Sequence, residues 1–168
     1  WDVTGRALGL PPLRPPPAPR ASDDADTAAL ARRGQYVATI GTCPLCHTAG
    51  PNSSRPWEPY DDMAGGLRVR WNVFGTTWSR NLTPDPDTGL GAWTPAEIKR
   101  AVTSGLARDG RTMHWQAMPW DHFANMSPED LEALVAYLQQ LPPVRHAVPS
   151  PVPPRPDDPA ADTFTFGP

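Results

Sequence analysis

Cys43 and Cys46 are the two cysteines of the 168-residue chain, and His47 follows directly, in the order Cys43-Pro44-Leu45-Cys46-His47. Cysteines at i and i+3 share one side of a helical turn, where each thiol can add to one of two neighbouring vinyl groups of a porphyrin. The next residue, a histidine, can then turn beneath the iron as its proximal ligand, which makes this spacing the signature of covalent haem attachment. Rival chemistries fit less well. A disulfide between these residues closes a very short, strained loop. A thioredoxin-type redox pair needs a βαβ scaffold, and that alternation is absent. A zinc site wants four ligands, and the remaining histidines, His114, His122 and His146, form no second pair at finger spacing. A proximal histidine also needs its other ring nitrogen fixed, and a backbone carbonyl of the loop carrying Pro51, Pro56 and Pro59 is the expected supplier.

A closed haem iron needs a sixth ligand, for which Met63, Met113, Met118, Met126, His114 and His122 are available. Thioether and imidazole both ligate haem iron, and a methionine opposite histidine raises the reduction potential, which suits electron transfer. Met118 stands before Pro119, which forces an extended backbone, and it follows His47 by 71 residues, enough chain to wrap a haem and return on its other face. Met63, Met113 and Met126 read as core filling. His114 and His122 flank Met118 and keep a bis-histidine site open.

Composition agrees with a large apolar body supplied from outside the chain. The hydrophobic fraction, counting Tyr but not Gly, is 39%, against about 45–50% on the usual count with Gly but not Tyr. Charge is mild: 15 basic and 18 acidic residues leave a formal −3 with no long run of one sign, which gives no basic face for nucleic acid. Lys99 is the only lysine, so no ring of lysines can serve for docking. No apolar run approaches the ~18 residues of a membrane-spanning helix. Because the chain begins at Trp1, a leader or upstream membrane anchor is expected to have been removed.

Three helices must position the motif. The first is expected from Asp26 or Thr27 into the attachment sequence, with Leu30, Gly34, Val37 and Ile40 on one face. The second opens at Thr94-Pro95-Ala96-Glu97, a capping box with proline at the first helical position, and buries Ile98, Ala101, Val102 and Leu106, with Gly105 and Gly110 bracketing its end. The third starts at the Ser127 cap, carries Leu131, Leu134, Val135, Leu138 and Leu141, and stops at Pro142-Pro143. With no convincing strand, the domain reads as all-α. Gly34 inside the first stripe is either tolerated at ~1 kcal/mol or required where the last helix crosses, with Tyr137 packed over it.

Of 24 prolines, six lie in residues 11–20 and nine in 142–168, so both flanks are extended rather than helical. The chain thus divides into a proline-rich extension or linker (1–22), a haem domain (23–143) and a proline-rich tail (144–168). Both tails are expected to lie along a partner in a larger electron-transfer assembly.

Beyond the attachment motif come Ala64-Gly65-Gly66, Phe74-Gly75-Thr76, Asn81-Leu82-Thr83-Pro84-Asp85, Thr88-Gly89-Leu90-Gly91 with Trp93, Asp109-Gly110-Arg111, Ala117-Met118-Pro119 and Ser127-Pro128-Glu129-Asp130-Leu131. In this order, across about residues 30–143, they resemble the class I c-type cytochromes. Within that class the chain is most similar to the haem domains of cytochrome subunits of membrane-bound alcohol, aldehyde and gluconate dehydrogenases. The resemblance implies an α-helical domain of about three main helices around one haem c. It implies Cys43 and Cys46 as thioether residues, His47 and Met118 as axial ligands, and crossing terminal helices, which favours the close-packing reading of Gly34. The chain departs from the family pattern between Gly110 and Met118, where it is one residue longer and has Trp115-Gln116 in place of a common proline. The seven tryptophans are core or porphyrin walls; for Trp93, the resemblance adds an indole N–H bonded to a haem propionate. Arg111, with Arg70, Arg80 and Asn81, completes the candidate propionate partners.

Two function classes follow. The preferred one is a mono-haem electron carrier, not itself an enzyme, working between redox proteins in a membrane-bound respiratory or photosynthetic complex, in the periplasm or on the outer face of the cell membrane. The alternative is a haem enzyme or gas-binding protein with an open or labile sixth position, for which His114 or His122 would supply a polar distal group.

Overall fold

The computed structural model describes residues 16–48, 63–72, 74–155 and 165–167, the last three as backbone. The first helix, α1, is Ala25–Ile40, and the Asp24 side chain caps it by accepting from Thr27 N at 2.9 Å. It does not run on into the attachment motif as expected. Gly41 closes it through a bond to Val37 O, Thr42 takes a left-handed φ of +56°, and a separate turn, α2 (Cys43–His47), begins on a new axis with Pro44 in its first turn. Of the expected stripe, Gly34 and Val37 are buried but Leu30 and Ile40 are not. Leu30 is 38% and Ile40 63% exposed, and the buried residues are Ala31, Gly34, Val37 and Ala38. Three of these four are alanine or glycine, because this face meets another helix at close range.

That helix is α5, Pro128–Gln139, capped by Ser127 and ended before Pro142-Pro143. A Cβ built on Gly34 would stand 1.9 Å from Ala133 O and 2.6 Å from Tyr137 Cβ. Glycine is therefore required here, and Tyr137 packs over it. Between them in sequence, α3 (Pro95–Ser104) opens with the full capping box of Thr94 and Glu97 and ends at Gly105, which has a φ of +67°. It buries Ile98, Ala101 and Val102; Leu106 lies beyond the helix, bridged to Thr112. A short helix not expected from the sequence, α4 (Trp120–Phe123), precedes α5. Buried residues of α1, α3 and α5 join Met63, Leu90 and Leu141 in one core cluster.

The expectation of no strand is overturned. Arg68–Trp71 (β1) and Gly75–Trp78 (β2) form an antiparallel hairpin, and Thr165–Gly167 (β3) adds antiparallel to the other side of β1. Strands of three and four residues carry too little periodicity to be read, and β3 pairs across nearly the whole domain.

The described parts of both flanks lie on their own domain. Pro17 O accepts from Tyr137 Oη at 2.8 Å, Pro16 O from Gln35 Nε2 at 2.9 Å, and Arg20 N donates to Gln140 O at 2.7 Å. The C-terminal flank runs back over the loops as a strap: Val144 N donates to Thr83 Oγ1, His146 N to Thr88 Oγ1, and Val152 N to Thr76 O. Residues 1–15, including most of the first proline run, lie outside the described residues.

The helix crossing makes a direct prediction. Gly34→Ala gains ~1 kcal/mol in helix propensity, but its methyl meets backbone atoms that cannot rotate away, where overpacking costs ~1–3 kcal/mol or more. A net loss of stability is expected on chemical unfolding of the haem-loaded protein. An unchanged or raised midpoint would refute the close crossing.

Candidate haem-binding site

Cys43, Cys46 and His47 share the single turn α2. Both cysteines are free thiols, and burial raises the pKa of each: Cys43 is pushed up to about 11 and Cys46 also lies above its ordinary value. Protonated thiols are the reverse of what a redox-active cysteine pair needs. Cys43 packs against the core cluster, and so do Leu82, Trp93, Met118, Phe123 and Met126.

His47 is buried, and its Nδ1 is 2.7 Å from Arg80 O. A carbonyl only accepts, so Nδ1 donates and the neutral ring keeps its lone pair on Nε2. Burial lowers the His47 pKa, with the bond to Arg80 opposing, so the imidazole is neutral and ready to ligate near neutral pH. The expected suppliers of that carbonyl, Pro51, Pro56 and Pro59, lie outside the described residues, and the ring's one Nδ1 proton goes to Arg80.

The Arg80 peptide is held in place by close backbone packing. Gly65, with a φ of +76°, donates from N to His47 O at 2.7 Å, and a Cβ on it would meet Arg80 C at 2.5 Å. Gly65 therefore lets the chain lie against both the His47 carbonyl and the Arg80 peptide. After Arg80 the chain enters a polar knot. Asn81 is buried, and its amide is fully used within the protein: Nδ2 donates to Thr88 Oγ1 (3.1 Å) and Val144 O (2.7 Å), while Oδ1 accepts from Thr83 N (2.9 Å) and Thr83 Oγ1 (2.8 Å). A propionate at Asn81 would have to compete with these bonds. Asp85 Oδ1 accepts from Thr88 N, Thr88 Oγ1 and Asp87 N. The knot delivers Trp93, whose N donates to Leu90 O, onto the core cluster.

Met118 is carried by a folded loop. Met113 N donates to Gly105 O, Met118 N to His114 O and Trp120 N to Met118 O, and Trp120 Nε1 clamps Met113 O at 2.9 Å. Gly105 leaves room for that indole, since a Cβ there would meet Trp120 Nε1 at 2.5 Å. The other candidate ligands lie as follows. His122 is 75% exposed beside Asp121, and His114 stacks between Phe74 and Trp115 with its Nδ1 accepting from Gln116 N. Met63 is buried in the core, Met126 packs against it, and Met113 is half-buried.

Arg111 lies near enough for its charge to act on Arg80. Burial lowers the Arg80 pKa, the Arg111 charge lowers it further and Asp109 opposes. Arg80 Nε is buried without a partner, and Nη1 is satisfied by Val148 O and Pro149 O. Two guanidiniums, one carboxylate and an unmet buried donor form a locus short of anionic acceptors, which fits a haem carboxylate. Arg70 lies on β1 instead, lining a cavity of about 320 Å3 with Arg68, Trp78 and Arg155. Among the described residues no group of three or more His, Cys, Asp or Glu side chains could hold a metal ion, and no helix is long and apolar enough to cross a membrane.

The family model described as cytochrome c matches residues 31–142. Among relatives, the chain is 44% identical over 114 residues to the cytochrome c subunit of a quinone-dependent alcohol dehydrogenase of Gluconacetobacter polyoxogenes, covering 68% of this chain and 22% of that protein. It is 39% identical over 116 residues to the gluconate 2-dehydrogenase cytochrome c subunit of Pantoea cypripedii, covering 69% and 24%. It is also 40% identical over 124 residues to a nicotinate dehydrogenase subunit of Pseudomonas putida, covering 74% of this chain and 10% of that one. The chain belongs to the cytochrome c family. A cytochrome c domain binds haem c covalently, in keeping with the two thiols and histidine on α2. The chain spans a tenth to a quarter of the length of these three relatives.

The knot predicts an acid-sensitive contribution to stability. Hydrogen bonds from Thr88, chiefly its hydroxyl, hold the Asp85 carboxyl below its ordinary 3.8. A depressed acid stabilises the fold above its unfolded pKa, and that contribution fades as pH falls through the folded value. Asp85→Asn, which keeps the acceptor oxygen and loses the charge, should lower the unfolding midpoint near pH 6 and narrow its gap to wild type near pH 3. An identical gap at both pH values would remove Asp85 from the acid response.

Proposed function

We propose that this domain carries one haem c, joined through Cys43 and Cys46 and ligated by His47 and Met118, and that it relays single electrons between redox proteins. The observation that carries the reading is His47: buried, neutral, on the same turn as both thiols, with Nδ1 committed to Arg80 O so that Nε2 is the remaining ligand atom. When bound, haem c supplies an iron that alternates between ferric and ferrous states. The chain's own work is to hold and shield. Met118 and Cys43 each pack against the core cluster, and Trp120 and Gly105 fix the Met118 loop. Arg80 and Arg111 offer cationic partners to the propionates, and Trp93 offers an indole donor, while Asn81 anchors the loop between them.

The named relatives support a setting within a multi-subunit dehydrogenase-type complex at a membrane. Because haem c is joined to exported chains, this reading goes with the periplasm or the outer face of the cell membrane.

An optical redox titration with carbon monoxide added at the reduced end tests this. One reversible low-spin haem per chain, indifferent to carbon monoxide, is expected, and Met118→Ala should turn high-spin, bind carbon monoxide promptly and lose potential. Prompt binding by the unaltered protein would favour the open-iron alternative, and a second haem per chain would refute the mono-haem assignment.

A further inference from the structure

Arg80 serves two ends of the molecule at once. Its carbonyl accepts from His47 Nδ1 at 2.7 Å, and its guanidinium grips the C-terminal strap through Nη1 to Val148 O (3.1 Å) and Pro149 O (3.0 Å). The strap suits this grip. A proline-rich extended chain forms no internal hydrogen bonds and its prolines lack N–H groups, so its carbonyls are left as acceptors. An arginine is all donors, with five N–H groups in a planar fork, and is the natural complement.

The strap is itself registered at alternate residues. Val144 is bonded to Asn81 and Thr83, His146 to Thr88 and through Nδ1 to Ala64 O at 3.0 Å, Val148 to Arg80, and Val152 to Thr76 in both directions. Ala64 is next to Gly65, which lies against both His47 O and the Arg80 peptide. The strap thus presses on the proximal histidine's surroundings from two sides.

We infer that Arg80 is a positioning residue for the proximal ligand, and that the C-terminal strap, acting through the Arg80 guanidinium, holds the carbonyl that fixes His47. The inference rests on the haem-ligand reading of His47. Its consequence is that a segment with the composition of a linker sets how tightly the His47 Nδ1 proton is shared with the protein, and so the basicity of the ligand.

The test uses the full chain with haem attached, once the visible spectrum has established a low-spin haem in the wild type; without one, the ligand reading itself fails. Solvent exchange of the His47 Nδ1 proton is then followed by NMR in the reduced state. Arg80→Met keeps the backbone carbonyl but removes the grip together with a propionate partner, and exchange should accelerate about tenfold. Ending the chain after His146 removes the Val148 and Pro149 acceptors with Arg80 in place; it should accelerate exchange likewise, and would overturn the inference by leaving it as in wild type. Arg80→Lys keeps the charge without the fork and should accelerate exchange by a smaller factor, and it stands in if the methionine variant does not fold. Arg145→Ala, which breaks an exposed pair with Asp87 elsewhere on the strap, should leave exchange as in wild type. Wild-type exchange in Arg80→Met, or in Arg80→Lys where only the lysine variant folds, would overturn the inference. So would equal acceleration in Arg145→Ala.

Discussion

Two helices approach only as closely as the side chains between them permit, and at the crossing of α1 and α5 there is almost nothing between them. Ala133 O occupies the space that a Cβ on Gly34 would need. Much else depends on that closeness. Tyr137 is drawn over α1 far enough for its hydroxyl to reach Pro17, which seats the N-terminal flank across the same junction. Its burial raises the phenol's pKa, and the Cys43 thiol lies near enough to contribute, so the crossing sits beside the attachment turn. Without the crossing, the turn would have no fixed wall against which to present its two thiols.

The second half of the site is held by polar rather than apolar forces. A buried amide or carboxylate is costly unless every lone pair and proton is met, and the segment from Asn81 to Gly91 meets them internally. Asn81 serves Thr83, Thr88 and Val144, and Asp85 serves Asp87 and Thr88. Gly89 and Gly91 leave no room for side chains against the carbonyls of Thr83 and Pro84. A loop closed in this way is rigid without regular structure, and it hands on two things the site uses: the Arg80 carbonyl at its start and Trp93 at its end.

The attachment motif was legible in the sequence, because its meaning lies in side-chain type and spacing over a few positions. Cys43, Cys46 and His47 on one turn, the Thr94/Glu97 cap and the Ser127 start of α5 all rest on local rules, whereas Gly34 was open between tolerance and a close crossing until the family resemblance favoured the crossing. Local periodicity found Gly34 and Val37 on the buried face of α1 but put Leu30 and Ile40 there in place of Ala31 and Ala38, since the larger residues are more hydrophobic, and hydrophobicity does not report which face a partner helix can approach most closely. It also carried the helix through Thr42, whose left-handed backbone carries no signature in its residue type.

What the sequence by itself determined is the kind of chemistry: a thiol pair, an imidazole and a thioether of suitable order and separation, on a mainly helical chain. What the tertiary structure decided is which backbone groups complete it. The partner of His47 is a carbonyl, and every residue has one, so Arg80 could not be distinguished from any loop residue until the chain was folded. The proline-rich flank likewise announced only that it is extended. That it returns to its own domain depends on donors at Arg80, Asn81 and Thr83, more than fifty residues away in sequence, meeting its unpaired acceptors in space.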